Sequence, residues 1–160
     1  MATSWTAGPG DFIRPFRLPR VEHYKEGASQ TFKRGYPVIL SATSDKGNKI
    51  TVAGADPTAD IVGFAADNAS GTEDTLIPVW VADEQAEFQG RVQDTGVLDA
   101  DDTGEAYGLV ADATNLIWRV DRSETTTTIA KIVKLLDGHG DTNGKVVFKV
   151  LNSRRSPFAS

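Results

Sequence analysis

Short apolar runs, rich in β-branched residues and broken by glycine, alternate along this chain with turns of Asp, Asn, Gly and Thr. The central run is Asp60-Ile61-Val62-Gly63-Phe64-Ala65-Ala66-Asp67, closed by Asn68-Ala69-Ser70-Gly71. An apolar run of that length with one glycine inside predicts a buried strand that bends, or one against which another backbone lies close. A similar phrase follows at Ala106-Tyr107-Gly108-Leu109-Val110-Ala111-Asp112, and the two are expected to form the spine of one small barrel.

The remaining runs fit around that spine. Val38-Ile39-Leu40 and Lys49-Ile50-Thr51-Val52-Ala53 flank a hairpin turn, Asp45-Lys46-Gly47-Asn48, and a second turn follows at Ala55-Asp56-Pro57-Thr58. Leu76 to Ala82 is a strand whose Pro78 would cost a ladder hydrogen bond in a central position, so an edge or a bulge is expected there. Asp83 to Ala86 is a turn or a single helical turn, and Glu87 to Val92 alternates as a strand. Leu116, Trp118 and Val120 share a face at period two. Ile129 to Leu135 fits a short helix by spacing, but its β-branched content and preceding threonines favour a strand. Lys145 to Leu151 closes the sheet after the loop Gly138 to Gly144. Roughly nine to eleven short strands predict an all-β fold, a small β-barrel or sandwich.

The ends differ from the body. In residues 1–29, Pro9, Pro15 and Pro19 stiffen an extended N-terminal arm. Trp5, Phe12, Ile13, Phe16 and Leu18 alternate there with Arg14, Arg17 and Arg20, too apolar a set for a plain disordered tail. Such a strip either docks in a groove of a partner or packs on its own barrel, and docking is the expectation. Residues 30–151 then form the β-barrel domain, and 152–160 form a basic C-terminal tail containing Arg154, Arg155, Pro157 and Phe158.

Net charge sharpens this division. Residues 1–40 hold six basic and three acidic side chains, and residues 138–160 hold four against one. The middle, 41–137, holds seven against eighteen, within an overall charge of −5. Basic ends on an acidic body point to an acidic partner. An acidic chain of pI about 5.0 is not a dedicated nucleic-acid module, so no direct nucleic-acid partner is expected. No segment approaches the roughly 20 apolar residues of a membrane helix, and no secretory leader is expected from the N-terminus. With no cysteine, disulfides and thiolate metal sites are excluded.

Catalytic patterns are sparse. His23 and His139 lie far apart, and neither has a second histidine at metal spacing. His139 lies near Asp141 in a glycine loop, where a surface turn is the commoner reading than a base with its orienter. Asp99-Ala100-Asp101-Asp102-Thr103-Gly104 begins like a calcium loop but has Thr at position five and Val110 where the bidentate Glu belongs. No nucleophile elbow or phosphate-cradling glycine loop occurs. No cofactor is expected, and no carboxylate pair stands out as hydrolytic.

The order of phrases carries a resemblance. Phe32-x-Arg34-Gly35-x-Pro37-Val38 is followed by Ile61-Val62-Gly63-Phe64-Ala65, Val79-Trp80-Val81-Ala82-Asp83 and Glu87-Phe88-x-Gly90-x-Val92. Then come Gly104-x-x-Tyr107-Gly108-Leu109, Trp118-x-Val120-Asp121 and Gly140-Asp141-x-x-Gly144-Lys145-Val146. Over about residues 30–151 this progression resembles the head decoration (cement, capsid-stabilising) proteins of tailed bacteriophages. The resemblance implies a non-enzymatic structural protein, made in the host cytoplasm and placed on the outer capsid surface of the virion. Its partner would be the major capsid protein, whose neighbouring subunits it clamps, and it would be a homo-oligomer, a trimer for preference. Trp5, Phe12, Ile13, Arg14, Phe16, Arg17, Leu18 and Arg20 are then the expected capsid-binding residues. The alternatives are a glycan-binding β-module using exposed aromatics such as Trp80 or Trp118, and a hydrolase with an unrecognised carboxylate pair.

Overall fold

The computed structural model describes residues 5–17, 19–41, 49–53, 60–93, 98–138, 140–151 and 155. Its strands are β1 (Arg14–Pro15), β2 (Val21–Glu26), β3 (Pro37–Leu40), β4 (Lys49–Val52), β5 (Gly63–Ala65) and β6 (Leu76–Val81). They continue as β7 (Phe88–Gln93), β8 (Ala106–Asp112), β9 (Ile117–Asp121), β10 (Ala130–Leu135) and β11 (Lys145–Val150), and a 3-10 helix spans Ala100–Asp102. Strands β2, β4, β3, β5 and β6 pair in that order into a closed barrel. The others pair in the order β1, β7, β11, β10, β8, β9, and a further pairing of β7 with β9 closes the last five into a second ring. The fold is all-β, as expected, but it is built on two small rings where one barrel was anticipated.

Each ring fills its interior with alternate residues of its strands, as a small barrel must. Val38, Ile50, Val62, Ala65, Ile77 and Val79 cluster with Phe32 in the first. Leu109, Val120, Ile129, Ile132, Val146 and Phe148 belong to the larger second cluster, which Phe64 and Trp80 of the first ring also join. Phe64 packs 4.7 Å from Phe88 and 6.0 Å from Phe148, centroid to centroid, so one aromatic group bonds the two rings into a shared core.

The rings repeat one another. In each, the first strand pairs parallel with the third and antiparallel with the fifth, and the second pairs with the third and fourth. Individual hydrogen bonds recur: Glu26 N–H to Thr75 O becomes Val92 N–H to Gly144 O, and Ala82 N–H to Val62 O becomes Leu151 N–H to Ile129 O. Gly35 donates to Ala65, which donates to Tyr36, just as Gly104 donates to Ile132, which donates to Glu105. Both glycines sit at positive φ, 89° and 91°, where a Cβ would be strained. Asp74 and Asn143 also match in left-handed conformation, and each binds a buried cation, Lys49 or Arg119, on the third strand of its ring.

Several sequence expectations change accordingly. Gly63 lies in β5 of the first ring and Gly108 in β8 of the second, so the two glycine phrases neither pair nor correspond. Val21–Glu26, read as part of the arm, is the first strand of the first ring. Pro78 is not on an edge, because β6 pairs with β2 on one side and β5 on the other. It is tolerated because β5 ends at Ala65, and beyond that Ala66 donates to the Pro78 carbonyl with nothing required in return. Asp83 makes a turn rather than a helix, its Oδ1 accepting from the N–H groups of Gln85 and Ala86. Residues 130–135 are a strand, as preferred. Leu116 falls outside β9, exposed at φ 56°, while Trp118 and Val120 point to the core. The turns at 45–48 and 55–58, His139, and Arg154, Pro157 and Phe158 of the tail lie outside the described residues.

Candidate functional site

The arm folds onto the second ring, and packing explains why. Gly90 of β7 has no side chain, and Ile13 fills that space, its Cγ1 placed 3.2 Å from where a Cβ would stand. Ile13 is fully buried in the shared core. The corresponding first-ring residue is Tyr24, whose side chain packs against the first cluster. Arg14 and Pro15 then pair with Gln89 and Phe88, and Phe16 N–H donates to the Glu87 carbonyl. Further out, Asp11 bonds Arg91 at 3.0 Å, Ala7 N–H donates to Asn115 Oδ1, and the Trp5 ring lies 4.4 Å from the Arg119 guanidinium. Burial lowers the pKa of Arg119, while Asp112 opposes it. Asp112 is itself raised by burial, but hydrogen bonds from Asn115 and Arg119 outweigh this and hold its carboxyl low.

Docking the arm completes a sheet face across β1, β7, β11 and β10. Residues opposite one another in a sheet share a face. One row therefore reads Arg14, Gln89, Val147, Lys134, and neighbouring pairs are Lys149 with Lys131 and Lys145 with Arg91. The intervening row, Phe88, Phe148, Ile132, points into the core with all three fully buried, and Val147 in the first row is fully buried as well, so the exposed part of the face is its lysines. A register shift between Ile132 and Lys134 brings Lys134, rather than Val133, opposite Val147; a bulge thus turns one more cation onto the face.

The result is strongly basic. Arg91 is neutralised by Asp11 and Asp137, and Arg17 by Glu87 at 3.3 Å with its own side chain 71% exposed. No carboxylate among the described residues pairs with Arg14, Lys131, Lys134, Lys145 or Lys149. Lys134 Nζ lies 5.1 Å from the Phe16 ring, and Lys149 Nζ donates to the Glu84 carbonyl. Like charges directly opposite in a sheet oppose folding, so the Lys131–Lys149 pair is a local cost to the free protein.

The expected arm residues divide three ways. Arg14, Phe16 and Arg17 join the basic face. Trp5, Phe12 and Ile13 hold the arm to its own chain, with Phe12 also under Arg34 at 5.1 Å. Arg20 bonds Glu22 at 2.6 Å and approaches Asp83 at 3.9 Å, and Leu18 lies outside the described residues. Lys131 and Lys134 were missed because they sit in the acidic middle of the sequence; only cross-strand register reveals them. Trp80 and Trp118 are 8% and 3% exposed and cannot serve as an exposed aromatic platform.

The acidic run is structural. Asp99 and Asp102 form a reciprocal capping box on the 3-10 helix. Buried Asp102 also accepts from the Tyr107 hydroxyl and pairs with Arg122. Burial, followed by that bond to Asp102, pushes the Tyr107 pKa up to about 12. Compared with known proteins, the chain matches no family model and no curated protein.

Proposed function

We propose that this is a non-enzymatic structural protein that binds the outer surface of a viral capsid and clamps neighbouring coat subunits. The sequence progression supports that reading through its resemblance to phage decoration proteins. The observation that carries the docking surface is the basic face, where cations from both chain ends and from β10 converge on a molecule of net charge −5. An acidic patch on the major capsid protein would relieve the Lys131–Lys149 repulsion, so the energy withheld in the free protein is recovered on binding. Many weak contacts on one lattice then add through avidity, the more so for a homo-oligomer such as a trimer.

On this reading the contact is made by a sheet face that includes part of the arm, rather than by a free arm. The test is the double charge reversal Lys131→Glu, Lys149→Glu. The variant is expected to fold normally and to lose binding to expanded capsids, and wild-type binding should weaken steeply with salt. Undiminished capsid binding by the variant would retire the face. Turnover of any substrate in a broad hydrolase screen would retire the non-enzymatic reading.

A further inference from the structure

The two rings differ at one strand edge. In the second ring, Gln89 of β7 pairs with Arg14 of β1, and the Glu87 carbonyl accepts from Phe16 N–H. Glu26 and Val92 occupy equivalent places, so His23 of β2 stands where Gln89 does and Val21 where Glu87 does. The first ring has no counterpart of β1 there among the described residues. Glu26 N–H donates to Thr75 and the Arg20 carbonyl accepts from Val81, so the even-numbered residues turn their backbone groups toward β6. The backbone groups of Val21 and His23 therefore turn the other way, where β4 joins only at Lys25 and Glu26. Among the described residues nothing bonds to them on that side. Burial follows the same contrast: Phe88 is fully buried, whereas its equivalent Glu22 is half-buried and Val21 is 48% exposed.

An unpaired edge is a template for another strand. This one is short, bounded by Pro19, which has no N–H, and by Lys25, which β4 holds, so it takes one brief partner instead of seeding a growing sheet. Charge then selects the occupant. Antiparallel pairing of two copies about a two-fold axis at Val21 sets each Arg20 opposite Glu22 of the other copy. The Val21 N–H groups donate to each other's carbonyls, each His23 N–H donates to a Pro19 carbonyl, and the exposed valines meet. An axis at Glu22 would oppose two carboxylates. An axis at His23 would run Val21 against Lys25, where β4 already pairs.

We infer that the β2 edge is a contact between two copies of this chain, which form a two-fold dimer centred on Val21. So small an interface is weak, with a dissociation constant on the order of 0.1 mM. The edge belongs to the first ring and the basic face to the second, and the inference does not rest on the capsid-binding reading.

The test is sedimentation equilibrium of the full chain from about 10 μM to about 1 mM, spanning that constant, with amide hydrogen exchange at each concentration. The mass should rise toward a dimer while exchange at Val21 and His23 slows. Arg20→Glu and Glu22→Arg each set like charges opposite one another across the axis, and each should weaken association about tenfold or more. Mixed in equal amounts, the two variants regain both cross-pairs and should associate again, a rescue that damage to either fold would not produce. The inference is overturned if the chain stays monomeric throughout, or if it associates with exchange at Val21 and His23 unchanged. It is also overturned if the single variants associate like wild type or if mixing restores nothing. Protection of the two amides that appears only when expanded capsids are added would assign the edge to a coat-protein segment and overturn it as well.

Discussion

Single residues carry much of what the sequence made legible. The glycine inside the central run predicts either a bend or a close backbone, and the second holds at Gly63, where a Cβ would collide with the Trp80 carbonyl. Gly63→Ala should therefore force β5 and β6 apart and lower stability by about 1–3 kcal/mol, visible as a lower urea midpoint. The titration of Asp112 was not legible, because its partners Asn115 and Arg119 are set by the β8–β9 turn and by burial. Its carboxyl is held low in the folded protein, so its contribution is fully present above the ordinary carboxylate range and is lost as pH falls through the depressed value. Glu124, held low by the Thr127 and Thr126 N–H groups, acts in the same direction. Acid should thus loosen the Asp112–Arg119 cluster under Trp5. Urea midpoints measured from pH 7 to pH 3 should fall less steeply in Asp112→Asn than in wild type, with a residual slope from Glu124.

At the scale of elements, strand positions could be read but their partners could not. Period-two patterns mark a strand's buried face; they say nothing of which strand lies beside it. That is why Lys131 and Lys149 looked unrelated until register placed them opposite one another. The arm shows the same limit. Its aromatics do not say whose surface receives them, and in the structure Ile13 fills the space beside Gly90 of its own chain. Deleting residues 2–17 removes a fully buried isoleucine, β1 and the Asp11–Arg91 pair together. The truncated protein should lose about 3 kcal/mol or more, on the scale of large-to-small core substitutions. Amide exchange should quicken first in β7, whose edge β1 covers. A truncated form as stable as the full chain would mean that the arm contributes nothing to the fold.

The repeat of the whole ring was invisible in the sequence for a physical reason. A barrel interior requires apolar volume at the right positions, not particular residues. Thus Val62 stands where Ile129 does, Ile50 where Val120 does, and Val38 where Tyr107 does. Identity survives mainly where the backbone demands it, at Gly35 and Gly104. Two copies of one ring could have folded independently, and the joint decides whether they do. Phe64 leaves the first ring to pack on Phe88 and Phe148 of the second, and Ile61, Trp80 and Ala82 join the same cluster. Each ring is too small to bury much surface alone, so losing this joint should cost both. Wild-type protein is expected to unfold in one transition by heat, with coincident fluorescence and circular dichroism curves. Phe64→Ala should lower stability by about 3–5 kcal/mol and separate those curves, because Trp80 lies at the joint while Trp118 reports on the second ring. A Phe64→Ala variant that still unfolds in one coincident step would show that cooperativity runs through the arm and backbone links instead of the aromatic joint.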